Sequence, residues 1–126
     1  MSFDWVQYLN LAGELCAIPV PPGSTEARRR SAISRAYYAA FHAARLHLRD
    51  KDHDPNIPAD ARVHTYGRTQ FRESHNRARR RIGENLNRLR LDRNKADYDD
   101  VVPGLPALSL LALRLAEQVF TVLRRL

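Results

Sequence analysis

The residues best suited to chemistry in this 126-residue chain lie in the stretch DRNKADYDD, positions 92–100. It places Arg93 beside Asn94 and follows them with Asp97, Tyr98, Asp99 and Asp100. A guanidinium is a planar fork of donors that binds phosphate or carboxylate oxygens two at a time. Upstream, Ala78, Ile82, Leu86 and Leu89 recur at helical spacing. Arg93 lies eleven residues beyond Ile82, close to a whole number of turns at about 3.6 residues each. That phase predicts a core-side arginine, which needs a carboxylate, a phosphate or a route to water. Asp97, one turn further on, is the carboxylate the spacing offers.

A second polar set sits in RSAISRAYYAAFHAARLHL, positions 30–48. Ile33, Tyr37, Ala40, Phe41, Ala44 and Leu48 form an apolar helical face, and beside it runs a stripe of Ser31, Arg35, Tyr38, His42 and Arg45. Alanines at 36, 39, 40, 43 and 44 let a neighbouring helix approach closely, so part of this stripe is expected to be buried and to need partners. The two segments together predict a site edge. In it Asp97 and its acidic neighbours, Asp99 among them, hold Arg93 and Arg35, and Arg93 stays able to meet a phosphate. A solvated helix end is the competing reading.

Charge points the same way. The net formal charge is +7, and only Lys51 and Lys95 are lysines. Between Arg62 and Arg93 there are ten arginines against three acids, Glu73, Glu84 and Asp92. Arg77, Arg80, Arg81, Arg88 and Arg90 are the candidate nucleic-acid contacts, with sequence-tolerant, salt-sensitive affinity. The same arginines would serve equally as a solvated surface.

Other chemistries have less to rest on. The five histidines show no i, i+4 pair with a carboxylate between, so no zinc site is expected. The glycines are scattered rather than gathered in a phosphate loop, nothing points to a Ser-His-Asp triad, and no cofactor is implied. Cys16, the only cysteine, excludes disulfides within the chain and fits a core thiol in a cytoplasmic protein. MSFDWVQYL lacks the pattern of a signal peptide. The apolar stretch Leu105–Leu126 is interrupted by Arg114, Glu117 and Gln118, as befits a buried helix better than a membrane span.

The elements that must position these residues read as helices throughout, with no convincing period-two segment. The first covers about Asp4–Ala17, with Trp5, Leu9, Ala12 and Cys16 on one face, and IPVPPGS at 18–24 stops it. Ser24 or Thr25 caps a second helix reaching about Arg49. After the polar loop KDHDPNIPAD come a short helix from Arg62 to Phe71 and a long one from about Glu73. VVPGLP at 101–106 breaks the chain before a last helix from about Pro106 to Arg124. The prediction is a single all-α domain over 1–126, an up-and-down bundle of four long helices plus one short. Leu108, Leu110, Leu111, Leu115, Phe120 and Leu123 leave the last helix apolar nearly all round, which predicts a homodimer.

SRAYYAAFHAAR at 34–45, His64 ahead of the short helix, and LRLDRNKADYDD at 89–100 together resemble the HEPN superfamily. The closer likeness is to small stand-alone HEPN proteins encoded beside a minimal nucleotidyltransferase. The resemblance runs from Arg30 to the C-terminus. It implies a dimerising helical bundle whose arginine motifs face one groove. It also implies metal-free RNA cleavage by an arginine, a following polar residue and a nearby histidine. Arg93 and Asn94 match the first two, and Tyr98 stands near where the histidine is expected. Cleavage would need a base for the 2′-hydroxyl and a cation for the phosphorane. Arg93 suits the second role, whereas a tyrosine with a pKa of about 10 is a poor base. His42 or His64 is the imidazole available from another helix. Three functions follow as expectations: a ribonuclease-type toxin of a two-gene defence or toxin–antitoxin module, a non-catalytic partner binding a nucleotide or the nucleotidyltransferase antitoxin, and a dimeric RNA-binding scaffold.

Overall fold

The computed structural model describes residues 3–17 and 24–126. The helices are α1 (Val6–Cys16), α2 (Thr25–Asp50), α3 (Val63–Arg72), α4 (Arg77–Tyr98) and α5 (Leu105–Arg125), and no strand occurs among the described residues. The all-α bundle is therefore as the periodicity predicts. Most of the proline-rich breaker, residues 18–23, lies outside the described residues. Ser24 occupies the N-cap position of α2, and its carbonyl accepts the Arg28 N–H at 2.9 Å.

Helix α2 is the hub, packing against α1, α4 and α5. It is 26 residues long with no glycine or proline to interrupt it. Its whole predicted apolar face is buried, together with Ala32, Ala36 and Ala39. Those alanines let neighbouring helices pack closely on more than one side of α2. The resulting core joins Ala12 of α1, Phe71 of α3, Ile82, Leu86 and Leu89 of α4, and Ala112, Ala116 and Val119 of α5.

Helix α4 begins at Arg77 rather than near Glu73. Ser74 Oγ accepts the Asn76 N–H at 3.1 Å, and the Asn76 side chain accepts the Arg79 N–H at 3.0 Å. Two short polar side chains thus hold residues 74–76 in a turn and cap the helix three residues after the expected start. Where α3 ends, it presses on α4 at Gly83. A Cβ there would overlap the backbone nitrogen of Arg72 and lie 2.8 Å from its Cα, so only glycine permits the approach.

Helix α5 starts after Gly104, whose φ of 68° is in the left-handed region that glycine tolerates, and Pro106 falls in its first turn. It is long and apolar enough to cross a membrane by length and composition alone. Its inner face, Ser109, Ala112, Ala116 and Val119, packs instead into the bundle. Only 28% of its most apolar stretch is buried, so much apolar surface stays outside, Leu110 and Leu111 included.

Candidate functional site

Arg93 lies where its phase predicts, with its side chain only 16% exposed. Its guanidinium carbon lies 5.1 Å from the Tyr37 ring centroid and 5.6 Å from that of Tyr38. Asp97 is its ion-pair partner at 3.8 Å, beyond hydrogen-bonding distance, and is itself on the surface. The predicted pairing is therefore present but loose. The Nε atoms of Arg93 and Arg90 are both buried without a hydrogen-bond partner.

Two more arginines come close. Arg68 from α3 and Arg90 from α4 act, with Arg93, on the Tyr37 hydroxyl electrostatically. Arg68 donates to Thr65 Oγ1 at 3.4 Å and also interacts with the Tyr37 hydroxyl, and among the described residues Arg90 donates to Asn87 Oδ1 at 3.4 Å. Burial, then the neighbouring Arg90, pulls the Arg68 guanidinium below its ordinary range. Three partly buried cations thus share one surrounding, and Asp97 is the one carboxylate paired with any of them among the described residues. Such an arrangement repels itself and gains most from an anion.

His64 in the first turn of α3 completes the group. Its Nδ1 is 2.8 Å from the Tyr37 hydroxyl, and its ring stacks on Phe41 with centroids 4.1 Å apart. Burial, followed by Arg93 and Arg68, holds its pKa below the usual histidine value, so the imidazole is neutral at pH 7. In the tautomer whose Nδ1–H donates to the Tyr37 oxygen, Nε2 is free to accept a proton.

The other predicted site residues divide. Tyr38 flanks both Arg93 and His64, the latter edge-on at 6.2 Å. His42 lies face to face on Trp5, centroids 3.6 Å apart, and its Nδ1 accepts from Arg45 Nε at 3.1 Å. Burial first, then Arg45 and His64, brings its pKa down to about 4. Asn94 is half-buried, with no side-chain hydrogen bond among the described residues.

Tyr98 does not join the site. It is 75% exposed at the last residue of α4, because five residues of regular helix turn it about 140° away from Arg93. Arg35 does not reach the acids either; it lies over the Tyr8 ring at 5.1 Å. Arg30 takes that place, donating to the carbonyls of Ala96, Asp99 and Asp100 at 3.0, 2.5 and 2.9 Å and to Glu26. Asp99 contributes through its carbonyl, not its carboxylate. The gathered acids thus mark a helix end tied down by Arg30, with the site beginning one turn earlier.

The arginine stripe also separates into different environments. Arg80 donates to the carbonyls of Ser74 and His75, and Arg88 Nε donates to fully buried Asp92 at 3.0 Å. Arg90 faces the Arg93 site, while Arg77 and Arg81 line an open groove with Arg125 on the α5 side. Sequence reasoning missed Arg68, Asp92 and the polar role of Tyr37. The signal available for Tyr37 was its hydroxyl, which needs a partner once the ring is in the core.

No protein-family model matches the chain, nor does any curated protein or solved structure.

Proposed function

We propose that this chain is a cytoplasmic HEPN-type component of a two-gene defence or toxin–antitoxin module that binds RNA phosphate at Arg93. The observation that carries the reading is the set of Arg93, Arg68 and Arg90 around Tyr37, three guanidiniums with a single loose carboxylate. A cluster held against its own repulsion is stabilised by the doubly accepting oxygens of a phosphate. The sequence resemblance supplies the module and the nucleotidyltransferase as partner. The exposed leucines of α5 favour a homodimer.

A second reading, ribonuclease, is favoured by one specific observation: His64 and Arg93 both pack against Tyr37 and Tyr38, and burial with Arg93 holds the His64 pKa below the usual histidine value. In that reaction His64 Nε2 takes the 2′-hydroxyl proton and the 2′-oxygen bonds to phosphorus. The 5′-oxygen leaves and acquires a proton, giving a 2′,3′-cyclic phosphate and a 5′-hydroxyl. Arg93 would steady the charge on the phosphorane. No metal is needed for this balance.

The test is fluorescence anisotropy with labelled RNA at low salt, run beside incubation of the pure protein with total RNA. Arg93→Gln should weaken binding at least tenfold; unchanged binding would refute the phosphate reading. Cleavage that stops in His64→Gln supports the ribonuclease, and intact RNA leaves the binding function alone.

A further inference from the structure

Aromatic rings lead away from the arginine cluster in an unbroken series. Tyr38 flanks Arg93 and lies 6.3 Å from His42, with the two rings only 26° from parallel. His42 stacks on Trp5, and Trp5 meets Phe3 at 4.8 Å and Tyr8 at 5.1 Å, both edge-on. Arg35, one turn before Tyr38 on α2, lies over the Tyr8 ring. These rings are not closed into the core. Phe3 is 46% exposed, and Trp5, Tyr8 and Tyr38 are half-buried, while Tyr37 and Phe41 on the adjoining face of α2 are buried. Burial keeps His42 uncharged at neutral pH, so the shelf it makes with Trp5 is an apolar, polarisable surface beside the cations.

A phosphate at Arg93 brings the sugar and base attached to it beside these rings. Every nucleobase has a π-face, and proteins hold unpaired strands by pairing a cationic track with aromatic side chains. Duplex RNA keeps its base faces against one another and has none to offer. Resting on the phosphate reading above, we propose that Tyr38 and the Trp5–His42 shelf form a base-stacking platform. The ligand of the site is then single-stranded RNA, held by phosphate at the arginines and by its bases on these rings.

Trp5 is the only tryptophan, so its emission reports on the platform directly. The intact chain would be titrated at low salt with a short oligoadenylate RNA, an abasic ribose-phosphate oligomer of equal charge, and a duplex of equal length. The oligoadenylate should bind at least tenfold more tightly than either of the others and change Trp5 emission. Tyr38→Leu should collapse most of the difference between oligoadenylate and abasic ligand. If the abasic oligomer binds as tightly as oligoadenylate and leaves Trp5 emission unaltered, the platform is refuted while the phosphate site stands. If none of the three binds, the phosphate reading falls and the platform falls with it.

Discussion

At the scale of single residues, Arg93 and His42 make separable predictions. Arg93 sits among cations, and its one ion pair is long and reaches a surface carboxylate. A pair that long, with its carboxylate on the surface, contributes little, and removing one cation relieves repulsion from Arg68 and Arg90. Arg93→Gln should therefore change unfolding free energy by less than about 1 kcal/mol in a urea titration, even as it abolishes tight RNA binding. A loss of several kcal/mol would mean that Arg93 is a structural anchor. His42 is expected to make stability depend on pH. Its folded pKa of about 4 lies below the ordinary value of 6.5, so the unfolded chain binds more protons between those limits. Stability is then full above pH 6.5 and declines as pH falls towards 4. The whole shift would be worth about 3 kcal/mol at ~1.36 kcal/mol per unit, and solvent screening at a half-exposed ring reduces this to about 1–2 kcal/mol. Parallel urea titrations at neutral and mildly acidic pH should show a smaller decline in His42→Asn than in the parent. His47 and His64 are shifted in the same direction, so the variant flattens the profile without removing its slope.

At the scale of elements, the junction of α3 with α4 decides whether the site exists. Helix α3 carries His64 and Arg68, and it approaches Arg90 and Arg93 only because Gly83 leaves room for the backbone of Arg72. Gly83→Ala should force the two helices apart, costing about 1–3 kcal/mol or more as an overpacked contact. RNA affinity should drop with it, because His64 and Arg68 move relative to Arg93. Gly13 of α1 is the control. Nothing lies within 4 Å of a Cβ there, so Gly13→Ala should stabilise the helix by about 0.5–1 kcal/mol and leave binding intact. Equal melting of the two variants would remove the steric argument.

At the scale of the whole molecule, charge and apolar surface predict how the chain behaves in solution. A net charge of +7, with three arginines gathered at one site, should give RNA affinity that falls steeply as salt rises. Leu110 and Leu111 on the outer side of α5 are 49% and 37% exposed, a surface that the proposed homodimer would cover. Light scattering should then report twice the 14.5 kDa chain mass, and Leu110→Glu with Leu111→Glu should restore the single-chain mass. A 14.5 kDa species for the parent at micromolar concentration contradicts the dimer.

What could be read from the chain alone was what depends on near neighbours in it. Helical spacing identified the buried faces of α2 and α4, because side chains three and four residues apart share a side whatever surrounds them. The same periodicity placed Arg93 towards the core and Asp97 beside it. Gly104 and Pro106 marked the start of α5 because their backbone constraints are their own. Partners across the bundle were another matter. Arg30 rather than Arg35 meets the end of α4, Tyr37 reaches His64, and Arg68 joins Arg90 and Arg93. Each of these pairings depends on how far one helix is rotated and slid against another. That is set by the alanines of α2 and the missing Cβ of Gly83, where contact between backbones many residues apart, and not spacing along the chain, determines which side chains meet.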